Sequence, residues 1–199
     1  IRQHVKKGGR LGMLMGRETT VRMPLANLFA LQQELGAINL HDMTADIQQI
    51  RMVKSPAEQA KLRHICGIVS DVFAHVPEWL QAGMPFDDCF RRFKIDALER
   101  GVDDVSYLVG GVGAGGYDDI IGPPVSKALA TGDVLMFDTG CVWDGYFSDF
   151  DRNFSIGPAP AEAQDAHKKL FDATEAALSI LQPGITAADL FTAMDNILR

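Results

Sequence analysis

One segment limits more than any other what this 199-residue chain can fold into. Val134–Phe137 is an uninterrupted apolar run of the kind found in buried strands. Seven residues later, Asp144-Gly145 is a dipeptide favoured in two-residue hairpin turns, because such turns require positive φ angles. The segment therefore predicts that residues 133–142 and 146–156 pair as antiparallel strands.

Two aspartates of this hairpin are candidates for a chemical role. Asp138 ends the apolar run and Asp149 lies on the return strand, so the turn brings the two carboxylates together. Two anions on adjacent strands repel each other unless a cation lies between them, and a divalent metal is the simplest such cation. The alternative is that Asp138 forms a turn and Asp149 is an exposed strand residue, and spacing alone does not decide between these interpretations.

The chain before residue 52 alternates between strand and helix patterns. Residues 10–16 are an apolar run bounded by glycine, and Pro24–Gly36 carries leucines at helical spacing. A second strand is expected over Ala37–Leu40, followed by a linking helix over Asp42–Arg51. Strand, helix and strand in this order favour the α/β class, so an α/β (α+β) fold is predicted.

A domain boundary is predicted at Val53, which divides the chain into residues 1–52 and 53–199. Ser55 and Glu58 form a capping box around Pro56, so a long helix should begin there and run to about Trp79. A second amphipathic helix is expected over residues 90–98.

Two further helices are expected near the end of the chain. The first should cover Ala161–Leu181 and turn four apolar residues inward, namely Leu170, Ala173, Ala177 and Leu181. Thr186 is placed to cap the last helix. That helix stops in mid-pattern at Arg199 and the first residue is Ile, so we expect the chain to be a fragment.

Composition excludes several classes of partner. Lys and Arg number 19 against 26 Asp and Glu, and the net charge of −7 leaves no basic surface for nucleic acid or an anionic membrane. No stretch approaches the ~18 apolar residues of a membrane helix. The three cysteines lack any CxxC spacing, so neither a disulfide framework nor a structural zinc site is indicated, and a cytoplasmic location is expected.

The hairpin and its flanks resemble the signature of the pita-bread metallopeptidases, the group of aminopeptidase P, prolidase and creatinase. The residues that carry the resemblance are Gly132-Asp133, Asp138-Thr-Gly140, Gly145-Tyr146, Ser148-Asp149 and Arg152. The resemblance implies the first half of a pita-bread catalytic domain, preceded by the end of a small creatinase-type N-terminal domain. It also implies two divalent ions, Mn, Co or Zn, with Asp138 binding one ion and Asp149 bridging both.

The chain departs from that family pattern in three ways. The remaining ligands of the family, a histidine and two glutamates, belong to the second half of the fold, and no histidine here stands in that context. The loop over residues 115–124 lacks the histidine with which the peptidases contact substrate. Asp151 stands where the family usually has threonine, and it is expected to be an outer partner of the site or an ion-pair partner of Arg152, with a third metal ligand as the alternative.

The resemblance implies a metal-dependent hydrolase of short peptides, similar to Xaa-Pro aminopeptidases and dipeptidases, that acts as a homodimer. Because its ligand set is incomplete, the 199-residue chain alone is expected to be inactive. One alternative is a creatinase-like enzyme acting on a small amide or amidine. The other is a non-catalytic binding module that has lost its metals.

The glycine-rich loop gives a weaker signal. Gly111-Val-Gly113-Ala-Gly115-Gly116 matches a dinucleotide-binding pattern, but acidic residues and Pro123-Pro124 follow it instead of a helix. The loop is interpreted as a flexible segment near the site, and the functional alternative is a substrate rim to which Tyr117 or Asp119 contributes a contact. Cys141 is expected to be a small buried side chain and not a nucleophile.

Overall fold

The computed structural model describes residues 1, 3–17, 19–36 and 38–199, and the chain divides into two compact units, Ile1–Gln59 and Ala60–Arg199. Within the described part of the chain, no helix has the length and apolar character needed to cross a lipid bilayer.

The first unit alternates strands and helices as expected. Its elements are β1 (Arg10–Met13), α1 (Leu25–Leu35), β2 (Asn39–Asp42) and α2 (Thr44–Met52), and β1 pairs with β2 in parallel. The expected second strand included Ala37, which lies outside the described residues. Helix α2 begins two residues later than expected because the Asp42 carboxylate accepts a hydrogen bond from the Thr44 N–H at 2.9 Å, which satisfies a free donor at the helix start.

The long helix α3 (Pro56–Trp79) begins where the sequence predicts. The Ser55 N–H donates to Glu58 Oε2 at 2.7 Å, and the Glu58 N–H donates to Ser55 Oγ at 3.3 Å. This reciprocal pair confirms the predicted capping box.

The second unit holds a five-stranded sheet and three more helices. The elements after α3 are α4 (Phe86–Glu99), β3 (Asp104–Val109), β4 (Val112–Ala114), β5 (Asp133–Trp143), β6 (Tyr146–Phe147), β7 (Phe150–Ser155), α5 (Ala161–Ile180) and α6 (Ala187–Leu198). Helix α4 begins four residues before its expected start, directly after Pro85. Thr186 caps α6 as predicted, with Asp189 completing a capping box.

Strand β5 is the centre of the sheet. Strands β3 and β4 pair antiparallel with one edge of β5, and β6 and β7 pair antiparallel with the other. Trp143 faces Tyr146 across the Asp144-Gly145 turn, which confirms the predicted hairpin. The ladder is interrupted only at Ser148 and Asp149, between β6 and β7.

One face of the sheet packs against α3 and α4. Phe137, which has no exposed surface, lies at the centre of this core, with rings from both the helices and the sheet around it. Its neighbours, with ring centroids 5.4–6.2 Å away, are Phe86, Phe90, Phe93 and Phe154. Burial of these aromatic side chains fixes which face of the hairpin is turned inward.

Helix α5 is oriented differently from the prediction. Ala173 is fully buried, but Leu170 and Leu181 are 53% and 58% exposed, so placing these two leucines inward was wrong. The helix turns Ala173 inward instead, and a small side chain allows a closer approach to the neighbouring backbone than leucine would.

Candidate functional site

The two candidate metal ligands lie on the face of β5 opposite the aromatic core. Successive strand residues point to opposite faces, so Asp138 and Gly140 share the face that Phe137 does not. Asp138 is paired with Asp151 on β7. The register is the same on both sides of the ladder interruption, so Asp149 lies opposite Gly140. Asp138, Asp149 and Asp151 are therefore brought together on one face.

Tyr107 on β3 joins the two predicted ligands. It is paired with Gly140 on the other edge of β5, and its hydroxyl donates to Asp149 Oδ1 at 2.7 Å. The same hydroxyl is within hydrogen-bond reach of the Asp138 carboxylate. The ring lies across Gly140, because a Cβ at that position would be 2.3 Å from Tyr107 Cε1. The sequence analysis did not identify Tyr107 as part of the site. The glycine inside the buried strand, Gly140, was a signal that another group lies close to the backbone there.

The negative charges of Asp138, Asp149 and Asp151 repel one another on this face when no cation is bound. Burial, and then the charge of Asp149, raise the pKa of Asp138. Burial, followed by the charge of Asp138, raises the pKa of Asp151. Burial and the hydrogen bond to Asp149 raise the pKa of Tyr107, which therefore stays a protonated donor at neutral pH. Asp138 and Asp151 are thus costly to ionise on this face, and a bound cation would remove that cost.

Tyr117 lies at the other end of the carboxylate row. Its hydroxyl donates to Asn153 Oδ1, and Asn153 is paired with Met136, one position along the same face from the Asp138–Asp151 pair. Burial and the charge of Asp151 raise the pKa of Tyr117. The phenol groups of Tyr107 and Tyr117 therefore lie on either side of the three carboxylates of Asp138, Asp149 and Asp151.

Comparison with known protein families agrees with this arrangement. The model of metallopeptidase family M24 matches residues 60–199, which is more than half of the chain and includes the whole carboxylate face. The chain belongs to metallopeptidase family M24.

Relatives and solved structures share this M24 architecture. The chain is 28% identical over 189 residues to a probable dipeptidase PepE of Mycobacterium tuberculosis, covering 94% of this chain and 50% of the relative. The prolidase of Thermococcus sibiricus superposes with a TM-score of 0.84 at 23% identity, covering 99% of this chain and 52% of that one. Dipeptidase PepE of Mycobacterium ulcerans gives a TM-score of 0.76 at 28% identity, over 90% of this chain and 48% of that one.

These matches confirm the expected fold, the first half of the pita-bread architecture. The chain spans about half the length of the curated relatives it matches. Among the described residues, no group of three or more His, Cys, Asp or Glu side chains is arranged to hold a metal ion. The carboxylate oxygens of Asp138 and Asp149, which reach a common phenol, nevertheless suit a hard divalent cation.

Ser148 positions Asp149 in this M24 hairpin. The Ser148 N–H donates to the Cys141 carbonyl at 2.9 Å, and the Cys141 N–H donates to Ser148 Oγ at 3.2 Å. Both side chains are buried. The buried Ser148 hydroxyl thus accepts the Cys141 N–H in place of a main-chain carbonyl. This substitution occurs next to Asp149, where the regular strand pairing is interrupted. Burial also raises the pKa of the Cys141 thiol, which fits the expected inert side chain.

Arg152 lies on another face of the sheet than the Asp151 carboxylate with which the sequence suggested that it pairs. Adjacent strand residues alternate, so Arg152 lies on the opposite face from Asp151, with its guanidinium 5.0 Å from the Phe150 ring centroid. It donates to the main-chain carbonyl of Asp151 at 2.6 Å and not to the carboxylate. Asp119 accepts the Ile121 N–H at 3.0 Å, which is the role of a turn former.

The glycine-rich loop lacks the helix that a dinucleotide-binding site would need. Residues 115–132, all described, contain no helix. The loop therefore offers no helix N-terminus to bind the pyrophosphate of a dinucleotide. A side chain at Gly122 would have its Cβ 2.9 Å from Asp119 Oδ2 and 3.2 Å from the Gly110 carbonyl. The loop is therefore packed around a glycine in the region where the peptidases carry a histidine.

We expect Gly140→Ala to destabilise the chain by about 1–3 kcal/mol, because the new methyl group forces the Tyr107 ring away and breaks its bond to Asp149. Gly67→Ala is the matched control: nothing lies within 4 Å of its Cβ position inside α3, so this change should stabilise by about 0.5–1 kcal/mol. Urea unfolding of both variants measures the difference. Equal effects of the two substitutions would contradict the close approach of Tyr107 to Gly140.

Proposed function

We propose that the chain is part of a metal-dependent hydrolase that cleaves short peptides. The observation that carries the proposal is that Asp138 and Asp149 share one face of the hairpin and reach the same Tyr107 hydroxyl. Membership of family M24 and the probable-dipeptidase relatives support the reaction class. Xaa-Pro peptides are the proposed substrates, by analogy with prolidases of the same fold.

The metal-binding roles are those that the family resemblance implies for these two positions. Asp138 would hold one of two divalent ions, Mn, Co or Zn, and Asp149 would bridge both. When bound, the ions supply a water molecule activated for attack on the peptide carbonyl. Tyr107 orients the Asp149 carboxylate by its hydrogen bond, and the buried Ser148 fixes the backbone beside it.

The chain's other polar groups shape the cleft around the ions. Asp151 adds a third negative charge next to Asp138, which favours cation binding without assigning it a ligand role. Tyr117 is the proposed contact for substrate, since its phenol lies at the end of the carboxylate row. Asp119, which also accepts a hydrogen bond in the turn that follows Tyr117, is the second proposed substrate contact.

The wider organisation is also proposed. Residues 1–52 would be the end of a creatinase-type N-terminal domain, and residues 53–199 the first half of the catalytic domain, in a protein of the length of its relatives. We propose a cytoplasmic homodimer. The three cysteines, which are all free thiols, are consistent with a reducing compartment.

A second candidate function follows from the loop at Gly122. Residues 115–124 include no histidine, so this loop lacks the imidazole with which the peptidases contact substrate. A creatinase-like enzyme that hydrolyses a small amide or amidine would keep the carboxylate face and need no such histidine. A binding module that has lost its metals is the non-enzymatic alternative.

The test is hydrolysis of a dipeptide panel, including Xaa-Pro dipeptides, by the full-length protein with Mn, Co or Zn and after chelation. We expect metal-dependent hydrolysis that chelation abolishes, and none by the 199-residue chain alone. Metal-dependent turnover restricted to small amides would favour the creatinase-like alternative. Metal analysis that finds no bound ion, together with no turnover, would favour the binding module, and turnover by the 199-residue chain alone would contradict the proposed site.

A further inference from the structure

A β-bulge in strand β3 decides which face of the sheet carries Tyr107. The pairing of β3 with β5 changes register between Val105 and Tyr107, so Ser106 is an extra residue inserted into the strand. Side chains of a regular strand alternate between the two faces of the sheet. One inserted residue therefore turns every later side chain of the strand to the other face.

The burial of β3 follows this change of phase. Val105 packs against the hydrophobic core, and so does the buried Leu108, three positions later. In a regular strand these two side chains would lie on opposite faces. Tyr107, next to Leu108, therefore points to the carboxylate face, where its hydroxyl donates to Asp149 Oδ1 at 2.7 Å. Without the bulge, the phenol would lie on the same face as Val105, away from the carboxylates.

A buried hydroxyl holds the residue that follows the bulge. Thr139 on β5 is fully buried, and its hydroxyl donates to the main-chain carbonyl of Tyr107 at 2.8 Å. The same hydroxyl lies 3.9 Å from the Cys141 thiol, and sulfur is a weak hydrogen-bond partner. The Tyr107 carbonyl is therefore the stronger partner of this hydroxyl, and solvent does not compete for it.

Thr139 reaches the carboxylate face only through other residues. It lies next to Asp138 on β5 and on the core side of the sheet, so its side chain does not face a bound ion or a substrate. Its influence passes through the main chain of Tyr107 and then through the phenol to Asp149. Ser148 holds the strand on the other edge of β5 in the same manner, from within the buried part of the sheet.

We propose that Thr139 is a positioning residue of the metal site, which keeps the Tyr107 hydroxyl on the Asp149 carboxylate by holding the bulge in β3. This role rests on the proposed function, since Asp149 is the carboxylate that would bridge the two ions. A hydrogen bond from a fixed phenol limits rotation of the carboxylate, and a ligand held in its binding orientation loses less freedom when the cation binds. Thr139 thereby raises the affinity for divalent ions.

The test compares Thr139→Val with Thr139→Ser in the full-length protein, by calorimetric titration of the metal-free form with Mn²⁺. Valine keeps the shape of threonine and removes the hydroxyl, whereas serine keeps the hydroxyl and removes the methyl group. Thr139→Val should bind Mn²⁺ about threefold to tenfold more weakly, the range for loss of one hydrogen bond. Thr139→Ser should stay within about twofold of the wild type, although it leaves a small cavity and lowers stability. If Thr139→Val does not fold, Thr139→Ala removes the same hydroxyl and takes its place.

The same comparison in a Tyr107→Phe background separates positioning from general destabilisation. Once the phenol hydroxyl is removed, Thr139→Val should change the Mn²⁺ affinity by no more than about twofold further. Thr192→Val on α6 is the matched control, because the Thr192 hydroxyl also donates to a main-chain carbonyl at 2.8 Å, and its affinity should equal that of the wild type. An unchanged affinity in Thr139→Val, an equal loss in Thr139→Ser, or an equal loss in both backgrounds would each overturn the proposal.

Crystal structures of the same variants without metal separate this role from the proposed function. In Thr139→Val the Tyr107 hydroxyl should lie beyond hydrogen-bond distance of Asp149, and in Thr139→Ser it should remain within that distance. A wild type that binds no Mn²⁺ contradicts the proposed function, and the metal-free structures then decide the role of Thr139 by themselves. A phenol that stays on Asp149 in Thr139→Val rules that role out.

Discussion

Asp149→Asn in the full-length protein is expected to abolish binding of at least one divalent ion and to lower kcat/KM by at least about a hundredfold, since removing even an outer partner of a metal ligand costs about 10–100-fold. Asparagine keeps the shape of aspartate and an oxygen that can accept the Tyr107 hydroxyl bond. It removes the negative charge and the second carboxylate oxygen that bridging two ions requires. Metal analysis of the purified protein and kinetics with a dipeptide measure the two losses.

The matched control is Asp118→Asn, an exposed aspartate in the loop after β4. It removes the same charge outside the paired strands of the hairpin and should leave both metal content and kcat/KM within about twofold, as for a surface change. The unfolding curve of metal-free Asp149→Asn should match or exceed that of the wild type, because one of the three mutually repelling carboxylates is neutralised. Unchanged metal content in Asp149→Asn would rule out the bridging role of Asp149.

The largest stability change is expected for Phe137→Ala, which should lower the free energy of unfolding by about 3–5 kcal/mol. Phe137 has no exposed surface and contacts four other aromatic rings, contributed by α4 and β7. Its removal leaves a cavity that α4 and the sheet cannot both close, because each is held by further buried side chains. Domains have only about 5–15 kcal/mol of stability, so much of the total would be lost.

Phe147→Ala provides the comparison for this variant. Phe147 lies on the same hairpin but is 59% exposed, so the same truncation should cost less than about 1 kcal/mol. Urea unfolding followed by circular dichroism should show a lower midpoint for Phe137→Ala with little change in slope. If the two variants were equally stable, the hairpin would not be packed by the face that carries Phe137.

The hairpin could be predicted from the sequence because its determinants are local. A two-residue turn at Asp144-Gly145 fixes the register, and the register then decides which residues share a face. That register alone places Asp138 and Asp149 on the same face of the hairpin. The capping boxes at Ser55 and Thr186 were predicted for the same reason, since each joins residues three positions apart.

Helix α5 shows where a local pattern is insufficient. Helical spacing identifies which residues lie on the same side, but both sides of α5 are apolar, one through alanines and the other through leucines. The sequence does not state which of two apolar sides meets the rest of the protein. Arg152 is different, because strand alternation already separates it from Asp151, and that signal was present in the sequence.

The sequence by itself determined the hairpin, its register, the capped starts of α3 and α6 and the separation of Asp138 from Asp149, because turns, caps and strand alternation act within a few residues. Only the tertiary structure decided that Tyr107, 42 positions before Asp149, lies across Gly140 and joins the two carboxylates. It also decided that α5 buries Ala173 and exposes Leu170 and Leu178. Contacts of this kind depend on how whole elements pack, since the free energy of burial is set by the neighbours that surround a side chain and not by the order of residues beside it.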